Sequence, residues 1–105
     1  MAIIQANKGI VTQINTFTVP ASGQQALIDV LAEAVICARQ EPGWISASLH
    51  RSLDGTRVVN YAQSENLAAA QAIIRRLKRE GFIERNKAYG EAHPGLYEVV
   101  ATYIR

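Results

Sequence analysis

The chain has 105 residues, 49% of them hydrophobic and 19% charged, with a net charge of +2; this is the profile of one globular domain and excludes a disordered chain. No apolar run approaches the roughly 20 residues that cross a bilayer, and Met1-Ala2-Ile3-Ile4-Gln5-Ala6-Asn7-Lys8 lacks the basic-then-apolar order of a secretion signal, so a cytoplasmic protein with no membrane partner is expected. The lone Cys37 cannot close an internal disulfide and falls in a helical pattern, where a buried, inert thiol is expected.

Residues 1–9 read as an extension to a single domain. Ile10–Val19 alternates loosely, with Thr12, Ile14 and Thr16 set against Val11, Gln13, Asn15 and Phe17, and predicts a first strand that Pro20 ends. Ser22-Gly23-Gln24-Gln25 has the spacing of a capping box. Leu27, Val30, Leu31, Ala34, Val35 and Ala38 then recur every three or four residues, which predicts a helix stopped by Glu41-Pro42-Gly43. Trp44–Ser52 and Thr56–Gln63 flank Leu53-Asp54-Gly55-Thr56, and Asp-Gly between two strand-like runs predicts a hairpin. Ser64 is read as the cap of a second helix, whose apolar face is Leu67, Ala70, Ile73, Ile74 and Leu77 and whose end is Gly81. Phe82–Glu91 is expected to hold a short extra helical turn. His93-Pro94-Gly95 reads as a break, and Leu96–Ile104 as the last strand.

The order β-α-β-β-α-β predicts an α+β, ferredoxin-like fold: a four-stranded antiparallel sheet in the order fourth, first, third, second, with the helices on one face. The strands are apolar on both sides, Ile14 against Phe17 and Val58 against Val59 and Tyr61, so a second sheet is expected on the bare face, making a homodimer.

One residue stands out chemically. Asn60 is an amide on an inward position of an apolar strand, where it either bonds to Gln13, Asn15 or backbone, or faces a ligand. Trp44 is a core or dimer-interface aromatic, or else a pocket wall. His50 has the opposite parity to Leu49 and belongs to a surface or interface; His93 is either an exposed loop residue or an acid/base group at a pocket rim. Two histidines and one cysteine cannot build a zinc site of the usual kind, so no metal is expected. The cations Arg75, Arg76, Lys78, Arg79, Arg85 and Lys87 are interrupted by Glu80 and Glu84 and accompanied by few aromatics; they read as a solvated helix face, and no nucleic-acid partner is expected.

Pro42-Gly43-Trp44-Ile45-Ser46-Ala47-Ser48-Leu49-His50, then Ser52-Leu53-Asp54-Gly55-Thr56, Val58-Val59-Asn60-Tyr61-Ala62-Gln63 and the closing Leu96-Tyr97-Glu98-Val99-Val100 resemble the antibiotic-biosynthesis monooxygenase family, over about Ile10 to Ile104. The resemblance implies a dimeric α+β barrel and oxidation of a polycyclic aromatic or quinol-type small molecule with O2, without metal, flavin or haem; a non-catalytic binding module of the same fold is the alternative. It implies that Asn60 hydrogen-bonds the substrate oxygen, that Arg85 (or Arg79) neutralises charge, and that His93 relays a proton. Gln13, Trp44, Gln63, Ser64 and Phe82 are the substrate-binding candidates, with Phe82 or Tyr89 closing over the cavity. The family carries large aromatics where this chain has Ser64 and Ala70, which predicts a more open cavity. A haem-degrading branch needs a histidine on the second helix, and residues 65–80 hold none.

Overall fold

In the computed structural model, which describes residues 1–105, the elements run β1 (Val11–Thr18), α1 (Gln24–Ala38), β2 (Trp44–Arg51), β3 (Arg57–Ser64), α2 (Leu67–Arg79), α3 (Phe82–Asn86) and β4 (Glu91–Glu98). The strands pair antiparallel in one sheet of order β2-β3-β1-β4, as the element order predicts.

Register decides which side chains share a face, because directly opposed residues point the same way. Phe17 lies opposite Val58 and Asn15 opposite Asn60. Phe17 and Val58 are 1% and 0% exposed and pack with Leu27 and Leu31 of α1. The odd positions of β1 and even positions of β3 therefore face the helices. α1 buries Leu27, Val30, Leu31, Ala34 and Ala38, the stripe its periodicity predicts. α2 buries only Ala70 and Ile73, and Leu67, at its exposed first turn, stays half in water. On the other face of the sheet Ile14, Val59 and Tyr61 are only half-buried.

Two glycines shape this layer. Gly43 enters β2 at φ 88, and a Cβ there would meet the Ala69 Cβ at 2.5 Å, so only glycine lets β2 start this close to α2. Gly81, at φ 85, separates α2 from α3.

Three local expectations need correction. Gly23, not Ser22, is the N-cap of α1, and no side chain caps it; the turn closed by Gly23 N–H donating to the Pro20 carbonyl puts Ser22 at φ 63, one residue too early, while Gln25 donates to Asp29 instead. Asn66, not Ser64, caps α2, accepting from the Ala69 amide, because β3 continues through Ser64. The last strand is Glu91–Glu98, not Leu96–Ile104. It pairs only with β1 at the sheet edge, where a proline needs no ladder partner for its missing N–H, so Pro94 sits inside the strand.

The hairpin turn is held by one carboxylate. Asp54 accepts from the Thr56 hydroxyl (2.6 Å), the Ser52 hydroxyl (2.8 Å) and the Thr56 amide (3.0 Å), and pairs with Arg57. The Thr56 hydroxyl, then the other donors, hold its carboxyl well below the ordinary value of 3.8. A depressed folded pKa stabilises above the unfolded value and is lost as pH falls through the folded one. Asp54→Ala is therefore expected to melt a few degrees below wild type at neutral pH, with the gap closing only in strong acid; thermal melts across that range test it.

Candidate active site

The helix-facing side of the sheet does not close completely. Beneath α2 the small side chains Ala34, Ala38, Ala47, Ala62 and Ala70 leave a chamber of about 30 Å³, walled also by Trp44 and Ser64. A larger cavity of about 220 Å³ extends beside it toward α3 and β4, past Phe17, Leu31, Phe82 and Ala92. Gln13, Ala34, Asn60, Ile74 and Leu77 line both, so Asn60 stands where the two meet.

Each wall follows from local sequence. The irregularity between Trp44 and Ser46 places Trp44 opposite Ser64 on the helix side. Alanines at positions 34, 38, 62 and 70 put little volume where α1, α2 and β3 converge. Ser64 and Ala70, where the sequence predicts a more open cavity, both line this small chamber.

The polar lining is almost wholly amide. Gln13, Asn15, Asn60 and Asn86 contribute it, with Ser64 in the smaller space and Lys87 at the α3 end. The Oδ1 atoms of Asn15, Asn60 and Asn86 are buried and have no hydrogen-bond partner. Asn15 and Asn60 face each other across β1 and β3 yet leave both carbonyl oxygens free. An unpaired buried acceptor costs about 1–3 kcal/mol, so a wall carrying three of them is built to meet hydrogen-bond donors. No His, Cys, Asp or Glu lines either space.

The candidates divide sharply. Asn60, Gln13, Ser64, Trp44 and Phe82 come together around the cavities. Gln63 does not: it alternates onto the other face of the sheet, is 1% exposed, and is bonded through both ends of its amide, accepting from the Ser46 hydroxyl (2.7 Å) and donating to the Ile3 carbonyl (2.8 Å). That bond pins the N-terminal extension to the outer face. His93 lies opposite Thr16, also on the outer face, and is half-exposed beside Glu91. Arg85 turns away to Glu33 of α1 (2.6 Å) and packs its guanidinium over the Phe82 ring. Arg79 and Tyr89 line neither space. Lys87 is the one cation lining the larger cavity, though its Nζ pairs with Glu84 at 3.1 Å and its side chain is mostly exposed.

Sequence reasoning missed Asn86 and named Asn15 only as a partner for Asn60. Asn15 had a usable signal, a second amide on an inward strand position. Asn86 had none, since it lies in a charged segment and its oxygen is buried only once α3 packs against α1 and α2.

Comparison with known proteins gives this arrangement a context. A family model described as antibiotic biosynthesis monooxygenase matches residues 10–85. The tetracenomycin-F1 monooxygenase of Streptomyces glaucescens is 38% identical over 74 residues, covering 70% of this chain and 66% of that protein, slightly less than two thirds of its length. Among solved structures, SnoaB, a cofactor-independent oxygenase from Streptomyces nogalater, superimposes with a TM-score of 0.80 at 22% identity, over 90% of this chain and 96% of that one. The monooxygenase of the ActVA-Orf6 gene of Streptomyces coelicolor, solved with nanaomycin D, gives 0.77 at 28% identity, over 92% of each chain.

Proposed function

Because this chain belongs to the antibiotic biosynthesis monooxygenase family, we propose that it oxidises a flat, hydroxylated aromatic molecule with O2, using no metal, flavin or haem. The observation that carries the reading is Asn60: a buried amide oxygen with no partner, on the wall shared by both cavities. Support comes also from the names of the relatives, a tetracenomycin-F1 monooxygenase and a monooxygenase solved with nanaomycin D.

The chemistry asks little of the protein. An anthrone, once ionised, transfers one electron to O2; the enolate-derived radical and superoxide combine at carbon to a hydroperoxide, which loses water to leave the quinone, whereas a reduced quinone oxidised by the same O2 gives the quinone and H2O2. Anthrone and one O2 thus give anthraquinone and one water. The protein's share is to hold the ring in a largely apolar space and to stabilise the oxyanion. Asn60 suits the second task. An amide carries both an acceptor and N–H donors, so rotation of its end meets first the phenol hydroxyl and then the phenolate, and it does not itself titrate. Lys87, in place of Arg85, supplies positive charge at the α3 end, and with His93 on the outer face no proton relay is assigned to it.

Stoichiometric O2 uptake with anthrone, tracked by an oxygen electrode and by anthraquinone formation, tests the reading. Uptake no faster than the buffer rate, for anthrone and for a reduced naphthoquinone, overturns it and leaves a binding module of the same fold.

The same reading includes a homodimer. Ile14, Val59 and Tyr61 form an apolar strip on the outer face that its own chain leaves half in water, and a second sheet packed there would remove it from solvent. Light scattering is expected to give twice the 11.5 kDa chain mass. Introducing a charge by Tyr61→Glu is expected to shift the protein to monomer.

A further inference from the structure

We propose that Asn86 is the residue with which this protein selects rings carrying hydroxyl groups at two opposed edges. The inference deepens the reading above and rests on it in taking the ligand to be a hydroxylated aromatic.

The larger cavity is lined by amide residues from two different parts of the fold, each with a side-chain oxygen that is buried and has no partner. Asn15 and Asn60 come from the sheet, and Asn86 from the last turn of α3. Asn86 is fixed in place, because its carbonyl accepts the amides of Tyr89 (3.0 Å) and Gly90 (3.1 Å). Its backbone is thus anchored, while its half-buried side chain keeps an oxygen that is buried without a partner. A ligand with a single hydroxyl satisfies the sheet amides and leaves the Asn86 oxygen dry and unpaired. A ligand with a second hydroxyl at its far edge satisfies both ends. A site built to receive a hydroxyl discriminates strongly against the analogue that lacks one, because the protein group stays orphaned. Lys87, adjacent and lining the same end, favours that second oxygen further when it ionises.

Equilibrium binding tests this without turnover, in oxygen-free buffer, by the fluorescence of three probes of one shape: a naphthalenediol with hydroxyls at opposite ends, its monomethyl ether, and the corresponding mono-naphthol. Wild type is expected to bind the diol about tenfold or more tighter than the ether or the mono-naphthol. Asn86→Leu, close in volume but without an acceptor, is expected to bring that ratio near one while the mono-naphthol affinity holds. Asn86→Asp keeps an acceptor and is expected to retain the preference. An equal loss for all three probes in Asn86→Leu, an unchanged ratio, or no binding of any probe overturns the proposal. Diol preference that depends on Asn86 in a protein that consumes no O2 would uphold this inference while sinking the oxygenase reading.

Discussion

Asn60→Ala is expected to slow O2 uptake with anthrone by about 10²–10³-fold, the loss seen when one preorganised oxyanion donor is removed. The same substitution is expected not to lower the melting temperature. The Asn60 oxygen is buried without a partner, so alanine strands no neighbour and removes an unpaid desolvation cost. The two readouts together separate function from folding. A structural amide would give the reverse, with stability falling and any rate change following it. Asn60→Asp keeps the shape but places a carboxylate beside a developing phenolate, and it should be no faster than the alanine variant. Steady-state rates at saturating anthrone, set beside thermal melts of the same preparations, decide the matter. A rate within a few-fold of wild type would move the oxyanion to another amide, Asn15 or Gln13.

Much of this site was legible because its elements have strong periods. The α1 stripe and the Asp54-Gly55 hairpin are local patterns, and with them fixed the parity of β3 alone turns Asn60 and Tyr61 to opposite faces. What escaped depends on long-range placement. His93 and Arg85 have suitable chemistry, but β4 begins at Glu91, which sends His93 outward, and Glu33, fifty-two residues from Arg85, draws that guanidinium to the surface. Gln63 follows the same strand as Asn60, three positions on, and strand alternation by itself would have placed it on the other face. Ser64 and Ala70 matter for what they leave vacant. Their spacing gives no sign of a chamber; it exists because Ala34, Ala38, Ala47 and Ala62 arrive from three other elements. The family resemblance was sharpest over residues 42–63 and drew attention to Asn60, which lines both cavities, whereas Asn86 lies where the matched region has already ended, at residue 85.

Leu27→Ala is expected to cost about 2–5 kcal/mol, the range for truncating a fully buried aliphatic side chain. Leu27 is 0% exposed and belongs to the four-residue cluster with Phe17, Leu31 and Val58. Only 13 of the 105 residues are buried, so few other contacts share the load. Against a total of roughly 5–15 kcal/mol for a domain of this kind, one substitution removes a large share of the stability. Urea unfolding should show a lower midpoint with an unchanged slope. The effect should also reach the site. Phe17 and Leu31, which Leu27 packs against, form a wall of the larger cavity, and loosening them blurs the spacing between the sheet amides and α3. Affinity for a naphthalenediol is therefore expected to fall even under conditions where the variant remains folded. If stability drops as stated and ligand affinity holds, the spacing between the sheet amides and α3 does not depend on the packing of Leu27.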